Sequence, residues 1–194
     1  MKTWMYLTIG LCALTATPVS AQHIDGKLKL ALDTDVLGLA GSNSTTAFGV
    51  GVGSPSLVGL APGVPPFGLD VAYGLNDNMV LGAQARLGIA SVSSNAVYAI
   101  GVLPHFDFVV LPHSSFRPYF GALAGIVTQN DGRFGGNGDT YANFGAQVGG
   151  YGFVSKGFSI GPRLVFMFSQ GMINTPTSNR VFSLQLQLEI AGWM

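Results

Sequence analysis

Past residue 21 this chain contains no run of about 18 apolar residues, the length a membrane helix needs. It instead repeats, eight times, a segment in which every second residue is apolar. Strict period-two alternation is the mark of a strand with two different faces. The final stretch, FSLQLQLEIAGWM, shows it plainly: Leu184, Leu186, Leu188 and Ile190 alternate with Gln185, Gln187 and Glu189. The other segments lie at 27–36 (Leu28, Leu30, Leu32), 67–74 (Phe67, Leu69, Val71, Tyr73), 79–90 (Leu81, Ala83, Leu87, Ile89) and 96–110 (Tyr98, Ile100, Val102, Phe106). They continue at 116–127 (Phe120, Ala122, Ala124, Ile126), 140–154 (Phe144, Ala146, Val148) and 158–169 (Ile160, Leu164, Phe166, Phe168), before the last at 182–194.

The charges decide which medium the apolar face meets. The opposite parity of these segments holds Lys27, Lys29, Asp33, Asp35, Asp70, Arg86, Asp107, Arg117, Arg163 and Glu189, five of each sign. Asp25, Asp77, Asp131, Arg133, Asp139, Lys156 and Arg180 fall at ends, turns or loops, so no charge lies on the apolar face. A charge on a lipid-facing strand position costs roughly 2–4 kcal/mol at the bilayer midplane, so a membrane barrel must show this absence. A soluble sandwich also alternates, but it would place its charges outward and carry more of them. Here only 9% of residues are charged against 48% hydrophobic, where soluble domains carry about a quarter charged. Without a spanning helix, only a closed barrel satisfies every backbone polar group in lipid. The fold class expected is therefore all-β, an eight-stranded antiparallel transmembrane barrel.

Residues 1–21 read as a cleaved secretory signal, with Lys2 as the positive region, an apolar run over 4–16, Pro18, and Val19-Ser20-Ala21 at the cleavage site. The barrel domain would then occupy 22–194 and contain no cysteine, since Cys12 lies in the signal. Short connections at 75–78, 111–115 and 155–157 alternate with 37–66, 91–95, 128–139 and 170–179, most of which are longer. Outer-membrane barrels pair short periplasmic turns with longer outer loops in this way, and an even strand count leaves both termini periplasmic. Tyr73, Phe106, Phe108, Phe116, Tyr119, Phe120, Tyr151, Phe153, Phe158 and Trp193 gather at the periplasmic ends, and Phe67, Tyr98, Tyr141, Phe144, Phe166, Phe168 and Phe182 toward the others, as two interfacial girdles would. Tyr151 and Phe153 sit on the inward parity, which a bulge at Gly149-Gly150 would re-phase. Trp193 is out of phase with Ile190, with Gly192 between them to allow a turn of the chain. Pro104 and Pro162 within strands mark an edge or a bulge.

The stretches YGLNDNMVLGAQARLG (73–88) and RPYFGALAG (117–125), together with the C-terminal strand, resemble the small OmpA/OmpX-type eight-stranded outer-membrane barrels of Gram-negative bacteria. The first is similar to the strand–turn–strand at a periplasmic turn of that family, the second to its glycine-alternating strands. The C-terminal strand looks like the signal read by the barrel-assembly machinery. The resemblance implies residence in the outer membrane, in contact with its lipid; the peptidoglycan-binding domain found in some members of the family is expected to be missing, since the last strand is followed by no further segment.

Nothing in the sequence compels an enzyme. His105 and Asp107 share the inward face, and His113-Ser114-Ser115 is faintly similar to the His-x-Ser of outer-membrane lipid A deacylases, but it falls in a periplasmic turn with no glutamate on the next strand. Turn chemistry explains it better. No catalytic residue is expected, no residue spacing points to a metal, and the glycines of Gly49-Val50-Gly51-Val52-Gly53 lack the lysine and helix of a phosphate loop. No cofactor follows. Zero net charge gives no reason for a nucleic-acid partner. The inward charges, with Gln84, Asn143, Gln147, Gln185 and Gln187, are expected to form a buried polar network filling the lumen. Inward glycines at 82, 88, 101, 121, 145 and 161 keep a narrow solute channel in play. Residues 36–69 carry no charged residue at all. They read either as an apolar docking surface or as an extra hairpin, 47–53 with 56–60, that would raise the strand count to ten. The expected function is a non-enzymatic outer-membrane protein acting through its outer loops. A channel is the alternative, and a lipid-modifying enzyme the weaker one.

Overall fold

The computed structural model describes residues 23–42, 46–50, 66–92, 95–131, 138–174 and 180–194; the signal region 1–21 lies outside them. Among the described residues nine strands follow in order: β1 (Leu28–Ser42), β2 (Thr46–Val50), β3 (Phe67–Asn76), β4 (Met79–Val92), β5 (Asn95–Val109), β6 (Phe116–Asp131), β7 (Asp139–Ser155), β8 (Phe158–Ile173) and β9 (Arg180–Trp193). Each of the eight long strands pairs antiparallel with its neighbour, and β1 pairs with β9 from Lys29↔Trp193 to Ser42↔Val181, which closes the ring. The seam runs on to the last residue, where Leu28 and Met194 exchange backbone hydrogen bonds of 2.9 Å. Strands β4–β9 are 14–17 residues long, more than the roughly 9–11 a tilted strand needs to cross, so they extend past the bilayer.

The ring has eight strands, and β2 is an addition to it. Gly41↔Thr46 to Leu37↔Val50 forms a hairpin with the upper part of β1, on the edge whose lower part pairs with β3. Part of the first limb of the hairpin expected at 47–53 with 56–60 is thus in place as β2, paired to β1; residues 51–65, which include the second limb, lie outside the described residues. Strand β1 also runs beyond its expected end at Val36. A bulge between Asp35 and Leu37 shifts its register on β9, and the buried parity changes from Asp33 and Asp35 to Gly38 and Ala40. An extra residue in one strand does this, and it keeps Leu39 outward as Leu28, Leu30 and Leu32 are.

The two in-strand prolines mark neither an edge nor a bulge. Pro104 and Pro162 both face outward on paired strands, with unchanged register across them. The β5–β6 pairing passes over Leu103 and Pro104, opposite Ala124 and Gly125, because proline has no N–H to give the ladder. Beside Pro104 the lipid-facing wall has a shallow hollow bordered by Leu81, Phe106, Ala122 and Phe144.

Burial follows the alternation. In β9 it switches at every residue from Arg180 to Ala191. Leu184, Leu186, Leu188 and Ile190 lie on the outer wall, as do Phe120, Ile126, Phe144 and Phe166. Nine of the ten charges expected inside are buried; Lys27 is the exception, half-buried just before β1 begins. Some inward glycines are required by the charges themselves. A Cβ on Gly121 would lie 2.1 Å from Oδ1 of Asp107, and one on Gly68 would lie 2.4 Å from Oδ1 of Asp33. The room left by these glycines is therefore filled by carboxylates reaching across from neighbouring strands.

Candidate functional site

Three features of the barrel carry chemistry: the lumen, the end of it beside residues 23–27, which the expected orientation places in the periplasm, and the rim below it. Arg163 of β8 is the hub of the lumen. Fully buried, it donates from Nη1 to Asp33 at 3.4 Å, from Nη2 to Asp70 at 3.1 Å and from Nε to the Tyr119 hydroxyl at 3.0 Å, and it also meets Glu189. Lys29 bridges the same carboxylates, 2.8 Å from Asp70 and 3.2 Å from Glu189. Arg86 binds Asp33 at 2.6 Å and donates to Gln187 and Gln84 at 2.8 and 3.1 Å. Gln187 in turn donates to Gln185 at 3.2 Å. Charges removed from water survive only with such partners.

His105 is held between two carboxylates, Nε2 2.9 Å from Asp70 and Nδ1 3.0 Å from Asp107. A neutral imidazole has one donor, so two acceptors suit the doubly donating imidazolium. The same interior holds Lys29, Arg86, Arg117 and Arg163 together with Asp33, Asp35, Asp70, Asp107 and Glu189. The expected His105–Asp107 pair therefore exists, but it lies inside the network, with Gln147 also donating to Asp107 at 2.5 Å. Ser114 is equally committed: its hydroxyl accepts from the Phe116 amide at 3.1 Å, and its carbonyl accepts from Nε of Arg117 at 3.1 Å. It builds the β5–β6 turn.

The periplasmic end of the lumen is closed by side chains expected in the outer girdle. Tyr119, Tyr151, Phe153 and Trp193 point inward. Tyr119 stacks on Tyr151 at 4.5 Å, and Trp193 meets Tyr151 edge-on at 5.2 Å and Phe153 at 5.9 Å. No bulge re-phases Tyr151 and Phe153, because Gly149↔Arg163 and Gly152↔Ile160 keep one register. Trp193 simply holds the inward parity of Ala191, and its indole N–H donates to Ser159 at 3.0 Å. Arg117 lies over the Phe153 ring at 4.5 Å and Lys29 over Tyr151 at 5.1 Å, so the cations above and the rings below attract one another. The outer girdle at this end is formed by Tyr73, Phe106, Phe116, Phe120 and Phe158.

Residues 23–27 fold beneath this plug. Ile24 is completely buried among its rings. Gly26, at φ 70°, donates its N–H to the Gly74 carbonyl at 2.9 Å, a turn conformation that glycine takes without strain. Asp77, in the β3–β4 turn, is the anchor: it accepts from the Ile24 amide at 2.9 Å and lies 2.6 Å from Nδ1 of His23. Partial burial pushes the Asp77 carboxyl up, but hydrogen bonds from His23 and from the Ile24 and Asp25 amides outweigh it and hold the group below its ordinary 3.8. A carboxyl lowered on folding adds stability above its unfolded value and loses it as pH falls through the folded one. The stability difference between the wild type and Asp77→Asn is therefore expected to be present above about pH 4 and to shrink below that. As for other exposed pairs, it should stay under about 1 kcal/mol. Urea midpoints across this range measure it, and a difference that persists at pH 2–3 would place the anchor elsewhere.

The segment 36–69 resolves into the top of β1, β2 and the start of β3, with 43–45 and 51–65 outside the described residues. Its first part therefore continues the wall.

No protein-family model matches the sequence, and no curated protein matches it. Solved structures do. Neisserial surface protein A matches at TM-score 0.53 and 18% identity, over 86% of this chain and 99% of that one. The attachment invasion locus protein of Yersinia pestis matches at TM-score 0.48 and 11% identity, over 86% and 99%. The N-terminal barrel domain of Pseudomonas aeruginosa OprF matches at 0.45 and 13%, over 89% and 100%. The neisserial match and the closed ring of strands together give the assignment: the protein has the fold of the small eight-stranded transmembrane β-barrels of outer membranes.

Proposed function

We propose that this protein is an exported, non-enzymatic component of the Gram-negative outer membrane that acts through its outer loops. Residues 1–21 direct its export, and the C-terminal strand is the element that the barrel-assembly machinery reads. The observation that carries this reading is the filled lumen. The charge network around Arg163 occupies its middle, and the Tyr119–Tyr151–Trp193 cluster closes its periplasmic end. Small barrels are filled by their own side chains, so the surfaces left for recognition are the lipid-facing wall and the outer ends of the strands. The lengths of β4–β9 support an outer extension. The seats of His105, within the network, and of Ser114, within a turn, speak against a catalytic role for either.

The alternative is a narrow channel for small solutes, and planar-bilayer recording of the purified protein separates the two. No discrete conductance steps are expected from the wild type. Reproducible steps would mean that the network opens, and would replace this reading with the channel. Outer-membrane fractionation, with a mobility shift on boiling, is the accompanying check that a closed barrel is present where we place it.

A further inference from the structure

Below the plug, three side chains from distant parts of the chain converge. His23 precedes β1, Asp77 lies in the β3–β4 turn and His113 in the β5–β6 turn. One ligand atom from each falls within 4.8 Å of the other two. We propose that His23, Asp77 and His113 form a site for a divalent transition-metal ion, of the Zn²⁺ class, on the periplasmic rim of the barrel.

The donor set is two imidazoles and a carboxylate. That combination suits zinc, nickel or copper, whereas calcium and magnesium ask for oxygen donors alone. Two histidines with one carboxylate and an open position also make a familiar zinc arrangement. The geometry is close to what an ion requires. Ligand bonds of about 2.0–2.2 Å put neighbouring donor atoms roughly 3–3.5 Å apart. Nδ1 of His23 and Oδ2 of Asp77 stand at 2.6 Å, and the two imidazole rings are 5.9 Å apart, edge to face. All three residues lie outside the strands, so side-chain rotations can bring the three donors to that spacing. Asp77 is already oriented for it, because its other oxygen is engaged by the Ile24 and Asp25 amides. This is the outer support that metal-binding carboxylates usually have. The His23 side chain is 71% exposed and Asp77 19%, so water can complete the coordination shell.

The site also has a structural consequence. His23 is next to Ile24, which is buried in the plug, and the two turns belong to separate hairpins. An ion held by all three would fasten the segment 23–27 across the β3–β4 and β5–β6 turns and keep the periplasmic end closed.

The test uses the full-length protein without a polyhistidine tag, exported by the cell, extracted in detergent and stripped with a chelator. Zn²⁺ is then titrated against a chromogenic competitor, and Co²⁺ absorption in the visible reports coordination geometry. One ion per barrel is expected. His23→Ala, His113→Ala and Asp77→Asn should each weaken Zn²⁺ affinity roughly tenfold or more, while Asp139→Asn, at the opposite end, should leave it unchanged. Mobility on unboiled gels confirms that each variant is folded, and His113→Ala, in an exposed turn, is the one least tied to folding. Absence of a one-to-one complex would overturn the proposal. So would Zn²⁺ binding that His113→Ala leaves intact, since the ion would then sit on His23 and Asp77 alone or elsewhere.

Discussion

Replacing Arg163 with methionine is expected to destabilise the barrel by about 3–5 kcal/mol, the range for breaking a buried ion pair from one side. Arg163 serves four groups on four strands: Asp33 on β1, Asp70 on β3, Tyr119 on β6 and Glu189 on β9. Without it, Asp33 keeps Arg86, Asp70 keeps Lys29 and His105, and Glu189 is left with Lys29. The lumen would retain its carboxylates with one fewer cation to pair them, in a medium where water cannot make up the loss. Arg163→Lys should cost less but not nothing. It keeps the charge yet gives up the planar fork and the Nε–H bond to Tyr119. Adding Glu189→Gln to Arg163→Met should recover part of the loss, because an unpaired carboxylate becomes neutral. Urea-dependent folding into lipid vesicles, read by unboiled-gel mobility, measures all three. A change below about 0.5 kcal/mol for Arg163→Met, the level of an ordinary surface substitution, would mean that the network contributes little and that the lumen is wetter than its packing implies.

What the sequence could and could not disclose about this network has a physical basis. Period two is a local property, so Arg163 and Glu189 declare their inward face from their immediate neighbours. Strand identities and the inward set of charges were therefore legible, along with turns as tight as residues 77–78. Pairing is not local. Arg163 stands 130 residues from Asp33 and 93 from Asp70, and only closure of the ring brings them together. The rim histidines are the same case: His23, Asp77 and His113 have no spacing to read, because the segment before β1 and two turns on one edge of the barrel create the cluster.

Two other features were hidden for different reasons. The plug was missed because aromatic residues near strand ends serve equally well in an outer girdle or an inner seal. Parity alone separates the two, and for Tyr151, Phe153 and Trp193 parity had the right answer. The bulge in β1 left a trace as well. The outward leucines change from even to odd positions between Leu32 and Leu37, and that shift of phase is the signature of one inserted residue. It is easily taken for the end of the strand. The segment 23–27 offered only Asp25-Gly26 as a turn signal, and nothing local says that Ile24 will be buried.

A charge placed on the outer wall should reveal the bilayer directly, and by an amount that depends on height. Leu186 lies near the middle of β9, facing outward beside Leu164 of β8. Leu186→Arg is expected to lower folding stability in lipid by about 2–4 kcal/mol, because the guanidinium must leave water for hydrocarbon. Leu75 is also outward but sits at the periplasmic end of β3. There the side chain can reach the headgroups, and Leu75→Arg should cost about 0–1 kcal/mol. A soluble sandwich would give no such gradient, since an arginine on its solvated face is tolerated at any height. An inward control completes the comparison. Gln185 is fully buried beside Leu186 on the same strand, so Gln185→Leu tests the lumen while leaving the lipid face untouched. Folding free energies in vesicles of one lipid composition measure all three variants. Equal costs at positions 75 and 186 would remove the bilayer from the account of this fold. A cost that rises toward the middle of β9 would locate the hydrocarbon slab on the barrel wall, and fix how far the outer ends of the strands stand above it.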